Sequence, residues 1–133
     1  MYQGSCLCGA ITYQINGPIG PIRYCHCQRC RKANGSAFAT NAPIAATDFQ
    51  FILGENIARS FSTAAGVHRV FCAQCGSPLF SKRDYEPEIL RLRIGTLDTP
   101  LIQKPLEHIF VGSKAEWFDI HDELPQYNER PSI

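Results

Sequence analysis

The sequence predicts a mainly β fold with one short helix. Most of its segments are short runs of β-branched and aromatic residues, and Gly, Pro and Asn interrupt them at the spacing of an all-β domain. No long stretch carries the 3.6-residue periodicity of an amphipathic helix. The 133 residues are 44% hydrophobic and 11% aromatic, enough for a real core in one domain spanning 1–133. No internal repeat, low-complexity tract or linker divides the chain.

Ala10 to Ile15 (A-I-T-Y-Q-I) reads as the first strand and ends at Asn16-Gly17-Pro18. Ile22 to Cys25 is extended. Cys27 to Ala33 (C-Q-R-C-R-K-A) is the short helix, with Asn34-Gly35 as its stop. Strand-like runs follow at Ala37–Asn41, Phe49–Leu53, Ile57–Ser62, Val67–Phe71 and Pro78–Ser81. Within Ile89 to Ile94, alternation directs Leu90, Leu92 and Ile94 to a core and Arg91 and Arg93 to water. Glu107 to Val111 is the last strand, and the polar tail after Trp117 is expected to loop over the surface.

Charge narrows the function classes. A net charge of +1 provides no general attraction for nucleic acid or an anionic membrane. No apolar run approaches the roughly 20 residues that span a bilayer. Met1 to Cys6 has neither the basic nor the apolar region of a signal peptide, so a cytoplasmic, reducing location is expected. Seven cysteines cannot all close into intramolecular disulfides, and such a compartment would not keep the bonds.

The thiols are clustered as C-x-C (Cys6, Cys8), C-x-C-x-x-C (Cys25, Cys27, Cys30) and C-x-x-C (Cys72, Cys75). That pattern reads as metal ligation before redox pairing. A structural zinc takes four ligands in a tetrahedron, and a C-x-x-C turn supplies two from one tight loop. On extended backbone the side chains of Cys6 and Cys8 share a face. The favoured partition places Cys6, Cys8, Cys72 and Cys75 around one zinc. Cys25, Cys27 and Cys30 then hold a second zinc with a position left open, the pattern associated with catalysis. Other arrangements stay open: Cys25 and Cys27 joining Cys72 and Cys75, a redox pair at either C-x-x-C, or an inert second zinc completed by a histidine. His68, four residues before Cys72, is the first choice for that histidine. His26 should point away from a metal shared by its neighbours, and His108 and His121 read as surface or packing residues.

Three segments carry a family resemblance: G-S-C-L-C-G-A-I-T-Y (4–13), C-H-C-Q-R-C-R-K-A-N-G-S-A-F (25–38) and F-C-A-Q-C-G-S-P-L-F (71–80). They resemble the glutathione-dependent formaldehyde-activating enzymes, also called S-(hydroxymethyl)glutathione synthase-like or centromere-protein-V-like. I-G-T-L-D (94–98) and H-I-F-V-G-S-K-A-E-W (108–117) are similar to its downstream segments. The resemblance implies a β-tent zinc fold of small antiparallel sheets and two zinc ions per chain. It implies that Cys6, Cys8, Cys72 and Cys75 hold a structural zinc, and that Cys25, Cys27 and Cys30 hold a catalytic zinc near which glutathione binds. The implied activity makes or breaks a carbon–sulfur bond between glutathione and formaldehyde.

Two positive charges on zinc against three thiolates leave the second site at −1, a weak Lewis acid that can still hold an incoming thiol as thiolate. Arg23, Arg29, Arg31 and Lys32 concentrate positive charge beside those cysteines. The three arginines are the candidates for docking the carboxylates of a glutathione-like thiol, whereas Lys32 reads as solvated helix surface. The leading expectation is therefore a zinc-dependent carbon–sulfur lyase with a small thiol and an aldehyde as partners, and neither a membrane nor nucleic acid. The alternative is a non-catalytic zinc module that binds a protein or nucleic-acid partner, and metal buffering is a third option.

Overall fold

The structure is a computed structural model that describes residues 1–131. Its strands are β1 (Tyr2–Ser5), β2 (Thr12–Ile15), β3 (Arg23–Cys25), β4 (Ala39–Ala45), β5 (Phe49–Leu53), β6 (Ala58–Ser62), β7 (Val67–Cys72), β8 (Pro78–Arg83), β9 (Glu86–Arg93) and β10 (Glu107–Ile109). The α-helix, α1, spans Gln28–Asn34. The fold is mainly β with a short helix, as predicted. None of the described helices is long and apolar enough to cross a membrane.

The chain divides into two compact units, and each is built from two separate stretches. Unit 1 comprises Met1–Gly20 and Ala42–Ile102. In it β1, β2 and β5 form an antiparallel sheet in the order β1-β2-β5, with Tyr2 opposite Ile15 and Ile15 opposite Phe49. Strands β6 to β9 form an antiparallel meander in the order β9-β8-β7-β6. Ile11, Tyr13, Ile15, Leu79 and Leu92 are fully buried, so the alternate residues of β2 and β9 supply the core as a period of two requires. Tyr13 stacks on Phe49 at 5.2 Å, and its hydroxyl lies 2.7 Å from Thr96 Oγ1.

Unit 2 comprises Pro21–Asn41 and Gln103–Ile133. Here β3 lies between two partners: antiparallel to the start of β4, with Cys25 opposite Ala39, and parallel to β10, with Cys25 opposite Ile109. Helix α1 follows β3 directly. Cys27 is its N-cap, Arg31 and Lys32 complement the dipole in its last turn, and Gly35 ends it with φ 60°.

Several boundaries differ from the sequence reading. Strand β1 was not expected, because Tyr2-Gln3-Gly4-Ser5 is polar and short; ladder pairing to β2 makes it a strand. Strand β9 begins three residues before Ile89. Arg93 is buried rather than solvated, and its Nη1 donates to the Arg91 carbonyl. Cys6 to Gly9 is not extended: Cys6 Sγ and Cys8 Sγ converge through a turn.

Candidate metal centres

The first cluster lies wholly within unit 1. The Sγ atoms of Cys6, Cys8, Cys72 and Cys75 all lie within 4.8 Å of one another. Cys6 and Cys8 are 3.6 Å apart, and Cys8 and Cys72 are 3.8 Å apart. A tetrahedron with Zn–S of ~2.3 Å has S···S edges of about 3.8 Å, so these two separations are those of zinc ligands. None of the seven cysteines is joined to another by a disulfide in this structure.

Two similar turns bring these ligands together. After Cys8, Gly9 takes φ 78° and its N–H donates to the Cys6 carbonyl at 3.1 Å. After Cys75, Gly76 takes φ 80° and its N–H donates to the Cys72 carbonyl at 2.8 Å. An L side chain rarely adopts that conformation, so glycine completes each turn at least cost. Leu7 N–H donates to Ser77 Oγ at 2.8 Å and joins the turns. Donors surround the sulfurs: Ile11 N–H reaches Cys6 Sγ at 3.3 Å and Gln74 Nε2 reaches Cys8 Sγ at 3.4 Å. The Ser77 hydroxyl and amide pull the Cys75 thiol down to about 5. For Cys6, burial opposes ionisation, yet the Ile11 amide and the Cys8 and Cys72 thiols leave its pKa below the ordinary value. At Cys8 the Ala10 amide favours the thiolate, but burial and the three neighbouring thiols outweigh it and push the group up to about 11. Such a set shares protons until a cation replaces them.

The second cluster lies wholly within unit 2. Cys25 ends β3, Cys27 caps α1 and Cys30 sits in its first turn, with their Sγ atoms within 4.8 Å of one another. Cys30 N–H donates to Cys27 Sγ at 3.3 Å. The Cys27 and Cys30 thiols, followed by burial, push the Cys25 thiol up. Cys25 and Cys30 are buried with Ala39 and Ile109, and Phe110 and Tyr127 pack against them. Phe110 is the one non-glycine residue among those described with positive φ, at 58°, a conformation that costs a bulky side chain energy. Arg130 lies over its ring, 5.4 Å from the centroid.

His26 is fully buried and lies outside the thiol cluster, as its place between two ligands implied. Its Nε2 is 2.8 Å from His108 Nδ1, and His108 Nε2 is 2.9 Å from Asp122 Oδ2. Phe38 and Phe118 flank the His26 ring at 5.2 and 6.2 Å. Burial, then the adjoining His108 ring and the charges of Lys114 and Arg31, push His26 down to about 4, so it is neutral at neutral pH. The hydrogen bond from His108 holds the Asp122 carboxyl below its ordinary value. His108 is thus no surface residue: only 2% of it is exposed. No sequence motif marks this pairing, since the three residues come from well-separated segments.

The other candidates are more dispersed. Arg23 Nε donates to Glu107 Oε2 at 2.7 Å, Arg29 is exposed and Arg31 is half-buried. Asn34 Nδ2 donates to the Cys30 carbonyl at 2.8 Å and so secures the helix. His68 joins neither cluster: its ring lies 2.7 Å from both Ser62 Oγ and Asp84 Oδ1. His121 is exposed.

Known proteins agree with this frame. The family model described as glutathione-dependent formaldehyde-activating enzyme matches residues 1–113. An uncharacterized lyase of Schizosaccharomyces pombe is 29% identical over 83 residues, covering 59% of this chain and 56% of that protein. The chain thus spans a little over half the length of that curated relative. A crystal structure of a Rhodobacter sphaeroides protein superposes with a TM-score of 0.64 at 21% identity, covering 75% of this chain and 91% of that one. At that identity the likeness speaks to the fold alone.

Proposed function

Because the chain belongs to the glutathione-dependent formaldehyde-activating enzyme family, we propose that it is a zinc-dependent carbon–sulfur lyase acting on adducts of a small thiol, such as glutathione, with an aldehyde. The observation that carries this reading is the inequality of the two cysteine clusters. Four thiols gather in unit 1, the number a tetrahedral zinc takes, whereas three gather in unit 2, which would leave a fourth position for a ligand from outside. The name of the yeast relative, a lyase, supports the reaction class.

Cys6, Cys8, Cys72 and Cys75 would hold a structural zinc, and Cys25, Cys27 and Cys30 a second one. Bound there, zinc would lower the pKa of a ligating thiol and supply its sulfur as a nucleophile. The chain's own residues bind and orient. Arg29 and Arg31, beside Cys30 on α1, would attract the carboxylates of the thiol; Arg23 would do so only in competition with Glu107. Phe110 and Tyr127, packed against the cysteines, would keep water from that face. In the synthetic direction an S–H bond breaks, a carbon–sulfur bond forms at the aldehyde carbon, and the proton ends on the former carbonyl oxygen. Cleavage runs the same exchange backwards. Proximity supplies much of the acceleration, since thiol and aldehyde already combine without help.

Calorimetric titration of glutathione and other small thiols into the zinc-loaded protein, with metal release followed in parallel, tests the proposal. Saturable binding in the wild type that disappears in Cys27→Ala is expected. Identical heats for both proteins would refute it.

One observation favours a second reading, a zinc module for a protein partner. In unit 1 Ile52 and Leu53 are exposed beside a shallow depression lined by Phe51, Gly54, Glu55 and Asn56, which contains none of the cysteines. If that face is the functional one, thiol titrations stay silent and Leu53→Asp abolishes partner capture.

A further inference from the structure

His26 stands between two ligand residues and is held from both its main chain and its ring. Its backbone N–H donates to the Ile109 carbonyl at 3.0 Å, and Ile109 is itself the register partner of Cys25. Its ring Nε2 meets His108 Nδ1 at 2.8 Å inside the aromatic surround of Phe38, Phe118 and Tyr24. The other ring nitrogen, Nδ1, is buried without a hydrogen-bond partner, so the His108 contact alone orients the imidazole through hydrogen bonding. His108 is oriented in turn by Asp122, whose carboxylate lies 2.9 and 3.1 Å from Nε2 and also accepts the Leu124 N–H at 3.0 Å. An ionised carboxylate only accepts, which puts the His108 proton on Nε2 and leaves Nδ1 to accept from His26.

We infer that His108 and Asp122 are positioning residues for the second metal centre, acting through His26 to fix the Cys25–Cys27 loop. This rests on reading Cys25, Cys27 and Cys30 as that centre. The two ligands are separated by one residue, so a rotation of His26 displaces both thiols relative to Cys30. A buried imidazole that lost its partner would seek another or turn toward water, because an unmade buried hydrogen bond is costly. Asp122 lies beyond residues 1–113, the part that the family model matches, so the carboxylate end of this clamp comes from outside the matched segment. Groups that support metal ligands in this way typically change metal affinity by about 10- to 100-fold when removed.

The test is cobalt(II) titration of the full chain, followed by thiolate-to-cobalt charge-transfer absorption and by chelator competition, below the melting temperature of every variant. Wild type should take up two ions. His108→Ala should weaken the second ion about 10- to 100-fold and leave the first unchanged. His108→Asn, whose side-chain oxygen can still accept from His26, should recover part of that loss. Asp122→Asn, at an exposed carboxylate where folding is not at stake, should weaken the second ion by a smaller factor. His68→Ala should change neither. Two ions held as tightly by the His108 and Asp122 variants as by wild type would overturn the positioning role alone. Equal weakening at both sites would overturn it as well, by pointing to general destabilisation. Uptake of a single ion by wild type would instead remove the second centre, and the proposed function with it.

Discussion

The two cysteine clusters use the same side chain and solve different problems. In unit 1 the ligands sit on two glycine-completed turns, and backbone or side-chain donors point at the sulfurs. Four thiols match the ligand count of a tetrahedral zinc, and the N–H groups would offset the charge of the thiolates that bind it. In unit 2 the ligands come from a strand end and a helix start, and a buried imidazole sits between two of them. Among the described residues three thiols meet here, one fewer than in unit 1, and the surroundings are apolar and aromatic. The difference teaches that four sulfurs can be gathered by local turns, whereas the set of three is braced by buried groups outside the cluster.

The sharpest way to break this comparison is to remove a ligand from the closed centre. Structural zinc contributes on the order of 10 kcal/mol to folding small domains, comparable with the whole stability of a domain. Cys72→Ser should therefore cost several kcal/mol. Chemical denaturation followed by circular dichroism checks this, and an unaltered midpoint would refute the structural role. Cys27→Ala, by contrast, should keep the fold and lose one metal ion, from two per chain to one by elemental analysis. If Cys27→Ala were as unstable as Cys72→Ser, the two centres would not differ in kind.

Acid gives a milder comparison. Protons compete with zinc for thiolates, and three ligands hold an ion less firmly than four. As pH falls, a chromogenic zinc reporter should register one equivalent released before the other, with Cys27→Ala lacking the earlier step. Simultaneous release would argue that ligand number does not govern retention. Smallest of all is a change outside both clusters. His68→Ala severs contacts to Ser62 and the exposed Asp84, and surface substitutions of that kind shift stability by about 0.5 kcal/mol or less. A thermal melt more than a few degrees lower would mean that the hairpin tips matter more than their exposure suggests.

What could be read from the sequence followed the range of the interaction. Strand β5 has the predicted bounds, and α1 is displaced by one residue, because alternation and capping act over a few positions. The preferred division of seven cysteines into four and three matches the sulfurs that meet, but spacing fixed only the partners within each motif and left the joining of motifs open. Strand β1 was not, since its four residues become a strand only by pairing with β2. Arg93 was misplaced because alternation cannot anticipate a carbonyl that reaches a buried guanidinium. The clamp on His26 escaped for the same reason: Cys25-His26-Cys27 announces ligands, but nothing near His108 or Asp122 in the chain reports that they converge on it.

The division of the chain into interleaved stretches also sets an order of events during synthesis. All four sulfurs of the unit 1 centre have left the ribosome once residue 75 has emerged. Cys25, Cys27 and Cys30 appear much earlier, yet their cover, from β10 through Ile109, Phe110 and Tyr127, emerges only after the whole of unit 1. A nascent polypeptide therefore carries three uncovered thiols while the second stretch of unit 1 is being made. That interval, rather than the finished molecule, is when the cysteines are most vulnerable to oxidants and stray metals.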